Sequence, residues 1–507
     1  MAPHIANGIT RSSFWLRVRE FAVPPRVIET ATARRRVGDW AGACAAAGVD
    51  TDLDLRSVAR THGRELAARI RADLRHLAPD LLRWHLPRIA PDGLLRPGLT
   101  VSLARYGTPE PGGPGPLHLV VRTPPAWADG GQRISLGLWD GSRTGAGSRG
   151  ADAAHHPHLR PDRRFRLDLH RHLWDARRAD ELRVRSGADR PWADAATADA
   201  GRTGPPVPAG PLPPTPLPPG LVPPELRCAV DRWAAEAEIL LRAAAADGGH
   251  GADGAGSEAC RADDAPVTGS VLVRLGTGRR LLLDLATAPD GAGPPELRIT
   301  AAPTDGSVTT LPVLPDAATW VLPDLDLLRS GRIGPDRLHP LVAAALVPGH
   351  VPAGPAAVPD APGQARIVEC RGARHRIGLV DGVLSALDHD PAQLRREELL
   401  VALTGTPLPC LRAIDEAHRR PDGLTGVRER LDHGDIAGAL AVVEGLLGPA
   451  AVLRDGPLRD ELEAAAQRRI AYGLFRSGLA GPAPDRRPAP PPCPRGRLSR
   501  PRRAAGR

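Results

Sequence analysis

In residues 205–224, eleven of twenty positions are proline. Proline has no N–H to donate, and its ring collides with the preceding helical turn, so this density fits neither a helix interior nor a central strand. The run therefore reads as an extended polyproline-type spacer. A chain of 507 residues divided by such a spacer is expected to form modules on either side of it. Each body is long enough to bury a core without covalent staples. A Gly/Ala/Asp-rich stretch ending near Asp264 and a Pro/Ala/Gly stretch over 348–363 divide the second half again.

Periodicity assigns the bodies. Leu66, Ile70, Leu74 and Leu77 recur at three- and four-residue steps, so residues 24–90 read as helical. Pro79 suits the first turn of a further short helix. Alternation predicts strands at 99–106, 117–123, 133–139 and 164–170, followed by a helix over 173–185. Past the spacer the pattern gives a helix at 225–246 and strands at 271–275, 280–285, 296–302 and 307–314. Gly276-Thr277-Gly278 reads as a hairpin turn, not a dinucleotide fingerprint, because a strand follows it. A helix at 335–347, strands at 365–371 and 374–380 and helices over 390–479 complete the reading. The expected class is α+β and multi-domain, with helical hairpins at both ends and two antiparallel β-meander/helix modules between. The expected boundaries are a helical region at 1–95, a first module at 96–195 and the proline linker at 196–224. A helix and linker at 225–264, a second module at 265–350 and a linker with hairpin at 351–390 follow. Residues 391–480 form the C-terminal helical region, and 481–507 read as a disordered Pro/Arg tail.

Two internal similarities bear on this plan. Residues 38–45, GDWAGACA, match residues 434–441, GDIAGALA, at six of eight positions. In each, glycine can end one helix and aspartate can cap the next. These hairpins resemble the tetratricopeptide type over a short stretch at each end, without that family's fuller pattern, and no family is assigned on them. The two β regions share a weaker order of strand, strand, strand, turn, strand, helix.

All 67 basic residues are arginine, since the chain contains no lysine. That excludes a P-loop phosphate lysine, a pyridoxal Schiff base and a lysine general base. The formal net charge is +9, and eight arginines without an acid lie in residues 486–507, so residues 1–485 carry only +1. Within the tail, Pro494-Arg495-Gly496-Arg497 resembles the core of an AT-hook, with Leu498 where that motif has proline. Arg495, Arg497, Arg500, Arg502 and Arg503 are accordingly the candidate nucleic-acid contacts.

No H-E-x-x-H, G-x-S-x-G, Walker A or G-x-G-x-x-G pattern occurs. Six cysteines, no two within thirty residues of each other, give no zinc-knuckle spacing and read as free thiols in a reducing compartment. Cys410 lacks a nucleophile's local pattern and reads as helix core or helix start. His155, His156, His158, His170 and His172 are the candidate metal ligands, but Arg160, Arg163 and Arg164 among them repel a cation. The expectation is therefore a solvent-facing polar surface, with Arg166, Asp168 and His170 on one strand face, and no cofactor. Asp50, Asp52 and Asp54 alternate like a calcium loop, but Leu55 replaces the required glycine, so capping of the following helix is expected, as for Asp324 and Asp326.

Arginines and Glu20 interrupt the first 23 residues, and Glu444, Gly445 and Pro449 interrupt 436–453, which reads as helix, turn, helix. No signal peptide or membrane span is therefore expected, and the expected location is cytoplasmic. The leading functional expectation is a scaffold for unidentified protein partners. The alternatives are nucleic-acid association through the tail and an enzyme whose site is assembled from distant residues.

Overall fold

The computed structural model describes residues 11–107, 116–141, 156–190, 221–248, 267–276, 278–286, 296–303, 307–351, 366–370, 372–405, 408–420 and 423–479. Nearly all of the proline run, His155 and the arginine tail lie outside these residues. The fold is α+β, with several small sheets.

The N-terminal body opens with helices α1 (Arg11–Phe21), α2 (Pro25–Arg36) and α3 (Trp40–Ala46), then strand β1 (Val49–Thr51). Helices α4 (Leu55–His62), α5 (Arg64–His76) and α6 (Pro79–His85) follow, with Pro79 at the first turn as its fixed φ favours. A two-residue pair, β2 (Arg88–Ile89) and β3 (Leu94–Leu95), leads to a meander of β4 (Thr100–Tyr106), β5 (Leu117–Arg122) and β6 (Ile134–Trp139). β1 adds to β6 in parallel, Val49 opposite Ile134, giving the order β1-β6-β5-β4. That strand was not expected inside the helical stretch, because three residues are too few to show a period. β5 lies in the middle and is buried along its whole length, which suits its near-continuous apolar run.

Residues 164–170 do not form the expected strand, and only Ser102 and Arg166 make a bridge. Local bonds win here: Arg166 folds onto Asp168 at 2.7 Å, and the N–H groups of Leu169 and His170 donate back to the carbonyls of Arg166 and Leu167. The expected helix over 173–185 is likewise broken into turns ahead of a short α7 (Leu182–Ser186). Asp175 accepts from the Arg177 N–H and pairs with Arg171 and Arg177, which pins a turn.

The second β module holds α8 (Val230–Gly248) and an antiparallel meander of β7 (Gly269–Arg274), β8 (Arg280–Ala286) and β9 (Glu296–Ala301). The expected strand at 307–314 is a 3-10 turn over Ser307–Thr310 and a single parallel bridge, Leu272 to Val313. Both meanders thus have a later segment bonded in parallel to their first strand, at Ser102 and at Leu272. Helices α9 (Asp316–Thr319), α10 (Pro323–Arg329) and α11 (Pro340–Leu346) follow. α11 starts five residues later than Pro335 because His339 accepts from the Leu341 N–H and Pro340 takes the first turn.

These helices return to the N-terminal core, where Leu327, Val342 and Leu346 are buried with Ile70, Leu82 and Val121. Asp324, at the start of α10, does more than stabilise a helix end. It receives two bonds from Arg19, at 2.8 and 2.7 Å, and one from the Trp84 indole at 3.0 Å. The Arg19 guanidinium also lies over the Trp15 and Trp84 rings.

The C-terminal body contains β10 (Arg366–Cys370), β11 (Ala373–Val380) and β12 (Val383–Ala386), then α12 (Pro391–Thr404), α13 (Pro409–Arg419), α14 (Leu424–Asp432), α15 (Ile436–Leu447) and α16 (Pro457–Arg476). β12 was not expected. In 436–453 there is one helix rather than two, ended by Gly448 at φ 90°. No helix among the described residues is long and apolar enough to cross a membrane.

The two G-D-x-A-G-A segments adopt the same geometry. Gly38 and Gly434 have φ of 79° and 84°, and Asp39 and Asp435 each accept a 2.8 Å bond from the N–H three residues on. Their surroundings differ: Asp39 is half-buried beside Arg34, whereas Asp435 is buried and paired with Arg26 and Arg430. The bodies holding these two hairpins dock on each other. Arg17 bonds Glu429 at 2.7 Å, Arg476 grips Asp52 at 2.7 and 2.9 Å, and the Tyr472 hydroxyl donates to Asp50 at 2.5 Å. Of the alternating aspartates, only Asp54 caps α4, while Asp50 and Asp52 hold the last helix.

Candidate ligand-binding cavity

The histidine cluster is not the exposed polar surface its sequence suggests. His156, His170 and His172 are buried. His156 Nε2 lies 2.9 Å from the Thr123 carbonyl, and its Nδ1 lies 2.9 Å from the His158 carbonyl and 3.2 Å from the His158 N–H, which holds the ring in place. Burial, reinforced by Arg122 and opposed by its backbone bonds, lowers its pKa to about 4. His170 lies 3.2 Å from Glu236, whose carboxyl is at about 2 because His170 and Arg185 outweigh the effect of burial. These rings do not converge on a metal. His155 and the tail residues Arg495, Arg497, Arg500, Arg502 and Arg503 lie outside the described residues.

His172 leads elsewhere, to a cavity of about 110 Å³ between the N-terminal core and the second β module. Five parts of the chain build it. α1 supplies Arg11 and Trp15, and Arg88 comes from β2. The turn segment supplies Phe165 and His172, α7 supplies Arg185, and a strap formed by the start of α8 with 316–323 supplies Arg232 and Trp320. The strap is held as a short antiparallel pair. Ala229 N–H donates to Thr319 at 3.0 Å, and Val321 N–H donates to Arg227 at 3.0 Å. Arg11 reaches across and donates to the Val321 carbonyl at 3.2 Å.

The polar atoms of this wall are nearly all donors. Arg185 is taken by Glu236 at 2.6 Å, and Asp316 by Arg164 at 2.9 Å. The Arg88 guanidinium has two carbonyl partners, Arg83 and Gly93, and no carboxylate among the described residues. Burial, with Arg83 and Arg19 nearby, lowers its pKa well below the usual guanidinium value. Burial also lowers that of Arg11, against the pull of Asp326. The pKa of His172 is lowered well below the imidazole range, by burial first and then by His170 and Arg185, so its ring is neutral.

Six buried polar atoms of the lining side chains have no partner: Arg11 Nε, Trp15 Nε1, Arg88 Nε, His172 Nδ1, Arg232 Nε and Trp320 Nε1. An unmet buried donor costs ~1–3 kcal/mol, and native structures leave few of them. They belong to side chains that share one cavity with aromatic and aliphatic walls, a lining that suits a ligand bringing acceptors on an apolar body. Arginine forks favour a carboxylate or phosphate.

Sequence reasoning reached only His172 of this set. The others are far apart in the chain, and an arginine or tryptophan carries no local mark of the cavity it will face. Comparison with protein families, curated proteins and solved structures finds no match for this chain.

Proposed function

We propose that this chain binds a small organic acid, a carboxylate or phosphate on a compact apolar body, in the cavity between its N-terminal core and second β module. The observation that carries the reading is a cavity lined by Arg11, Arg88, Arg185 and Arg232 beside Trp15 and Trp320, among side chains that leave six buried polar atoms unpartnered. At ~10–15 Å³ per water-sized group, the cavity of about 110 Å³ suits about seven to eleven heavy atoms. Binding adds stability in proportion to occupancy, so saturating ligand raises the melting temperature. The test is thermal unfolding of the full chain against aromatic and aliphatic carboxylates and phosphates, each with its neutral amide or alcohol counterpart. Anions should raise the melting temperature, the neutral counterparts should not, and Arg232→Met should abolish the effect. Equal shifts from the neutral counterparts, or an undiminished response in Arg232→Met, would overturn the assignment.

A second reading, the scaffold, has its own support in α12. Leu399 and Leu403 are 68 % and 83 % exposed, and Leu400 is exposed beside them. Side chains four apart share a helix face, so Leu399 and Leu403 form an apolar stripe. The occupant we propose is the same helix of a second copy. The stripe is self-complementary: a two-fold axis near residue 401 sets Leu399 of each copy opposite Leu403 of the other. Light scattering should report a dimer, and Leu399→Glu with Leu403→Glu should yield a folded monomer. A monomeric parent at high concentration would sink this reading.

A further inference from the structure

Cys370, His389 and Cys410 are separated by 18 and 20 intervening residues, a spacing with no zinc signature, yet the fold brings them together. Cys370 ends β10, His389 lies between β12 and α12, and Cys410 is the second residue of α13. One ligand atom from each lies within 4.8 Å of the others. Both cysteines are fully buried, and His389 is half-buried. The His389 Nε2 is 3.4 Å from the Cys410 Sγ. With bonds of about 2.3 Å to sulfur and ~2.0–2.1 Å to nitrogen, a tetrahedral zinc site requires an S···N separation of roughly 3.6 Å.

The surroundings suit a built site. Ile377, Ala386, Leu408 and Ile414 pack around the two sulfurs in one small core. The His375 ring stacks on His389, centroids 4.2 Å apart and planes within 11°, which fixes the orientation of the ligating ring. Asp388, next in the chain, is tied down by the Arg376 N–H at 2.6 Å and its guanidinium at 2.9 Å, so the loop that presents His389 is anchored. Two thiolates and one imidazole make a soft-to-borderline donor set. That excludes magnesium and calcium, which want oxygen, and favours zinc.

We infer that Cys370, His389 and Cys410 form a zinc site that clamps the C-terminal body. Binding displaces the two thiol protons to solvent, and the sulfurs and the neutral imidazole donate their lone pairs to the cation. Three protein ligands leave the fourth tetrahedral position for water or an outside donor, the arrangement of an open rather than a closed zinc centre. The site joins the end of a strand, a loop and the first turn of a helix. Metal therefore adds a cross-link to a body that has only small cores of its own. Cys370 and Cys410 are free buried thiols, as expected, and the fold brings them together with His389. Cys44 and Cys228 remain free and lie in other regions of the fold.

The test uses the full chain, stripped with chelator under reducing conditions and titrated with zinc or cobalt(II). The expected result is one metal per chain, thiolate-to-cobalt charge-transfer absorption and a higher melting temperature for residues 366–479 than for the stripped protein. His389→Gln changes a half-buried loop residue and keeps the fold, so loss of metal there reads on ligation directly. Cys410→Ser should lose the charge-transfer band, and Cys228→Ser should keep it. His375→Ala, a positioning change, should weaken zinc on the order of tenfold. Undiminished uptake by His389→Gln, no uptake by the parent, or a Cys370–Cys410 disulfide as the form that persists under reducing conditions would overturn the site.

Discussion

His156 and His433 are buried and His85 is half-buried, none with a carboxylate partner in contact, and desolvation is the largest cause of the lowered pKa values of His85, His156 and His433, about 3, 4 and 4. In the unfolded chain each takes a proton near 6.5, whereas in the folded chain it does so only near 3 or 4. The unfolded state therefore binds more protons throughout that interval. The stability these rings contribute is complete above 6.5 and is lost as the pH falls toward 4. At pH 5 the loss is roughly 1–2 kcal/mol for each ring. Glu236 does not confuse this window, because a carboxyl held at about 2 gives up its contribution only below the unfolded carboxylate range. Melting temperature should fall markedly from pH 7 to pH 5. His156→Gln keeps one acceptor and one donor but no titration, so its drop over the same interval should be smaller. An equal drop in parent and variant would show that His156 is not a source of the acid sensitivity.

At the scale of elements, what was legible in the sequence was what repeats locally. The meander β4 to β6, the β7–β8 hairpin, α6 and the C-terminal helices each carry a period or a proline that marks them within a few residues. The segments at 164–170 and 307–314 show strand-like alternation, but competing turn bonds, Arg166 to Asp168 among them, hold the first of these out of the sheet. The paired G-D-x-A-G-A hairpins were legible in both copies, and they differ in one testable respect. Alanine at either glycine meets the left-handed φ, which costs about 1–2 kcal/mol. At Gly38 a Cβ would meet nothing within 4 Å, whereas at Gly434 it would strike the backbone carbonyl of Gly131 in the N-terminal body. Gly38→Ala should therefore lower the urea midpoint modestly at unchanged slope. Gly434→Ala should lower it by ~3 kcal/mol or more in equivalent stability. Equal losses would mean that the two bodies do not approach at Gly131.

Across the whole molecule, the sites depend on residues that no local pattern connects. The cavity joins Arg11 to Trp320, and the proposed zinc site spans forty residues of chain. The same holds for the docking of the two ends. Asp50 and Asp52 looked like helix-capping acids because their true partners, Tyr472 and Arg476, come more than four hundred residues later. These contacts are not surface decoration. Asp52 and Arg476 are 13 % and 22 % exposed and meet through two bonds, and Trp127 packs edge-on against Phe475 beside them. A half-buried two-bond pair keeps more of its Coulomb energy than an exposed one, and salt screens it less. A double-mutant cycle of Asp52→Ala and Arg476→Ala should give a coupling on the order of 1–3 kcal/mol, little reduced in high salt. Each single variant should also raise amide exchange in β1 and in the last turns of α16, while β7 to β9, in a separate core, stay protected. A coupling near zero would mean that this pair does not hold the C-terminal body to the N-terminal one, leaving Tyr472–Asp50, Arg17–Glu429 and Arg26–Asp435 to do so. A measurable coupling that is lost in high salt would place the pair in open solvent instead.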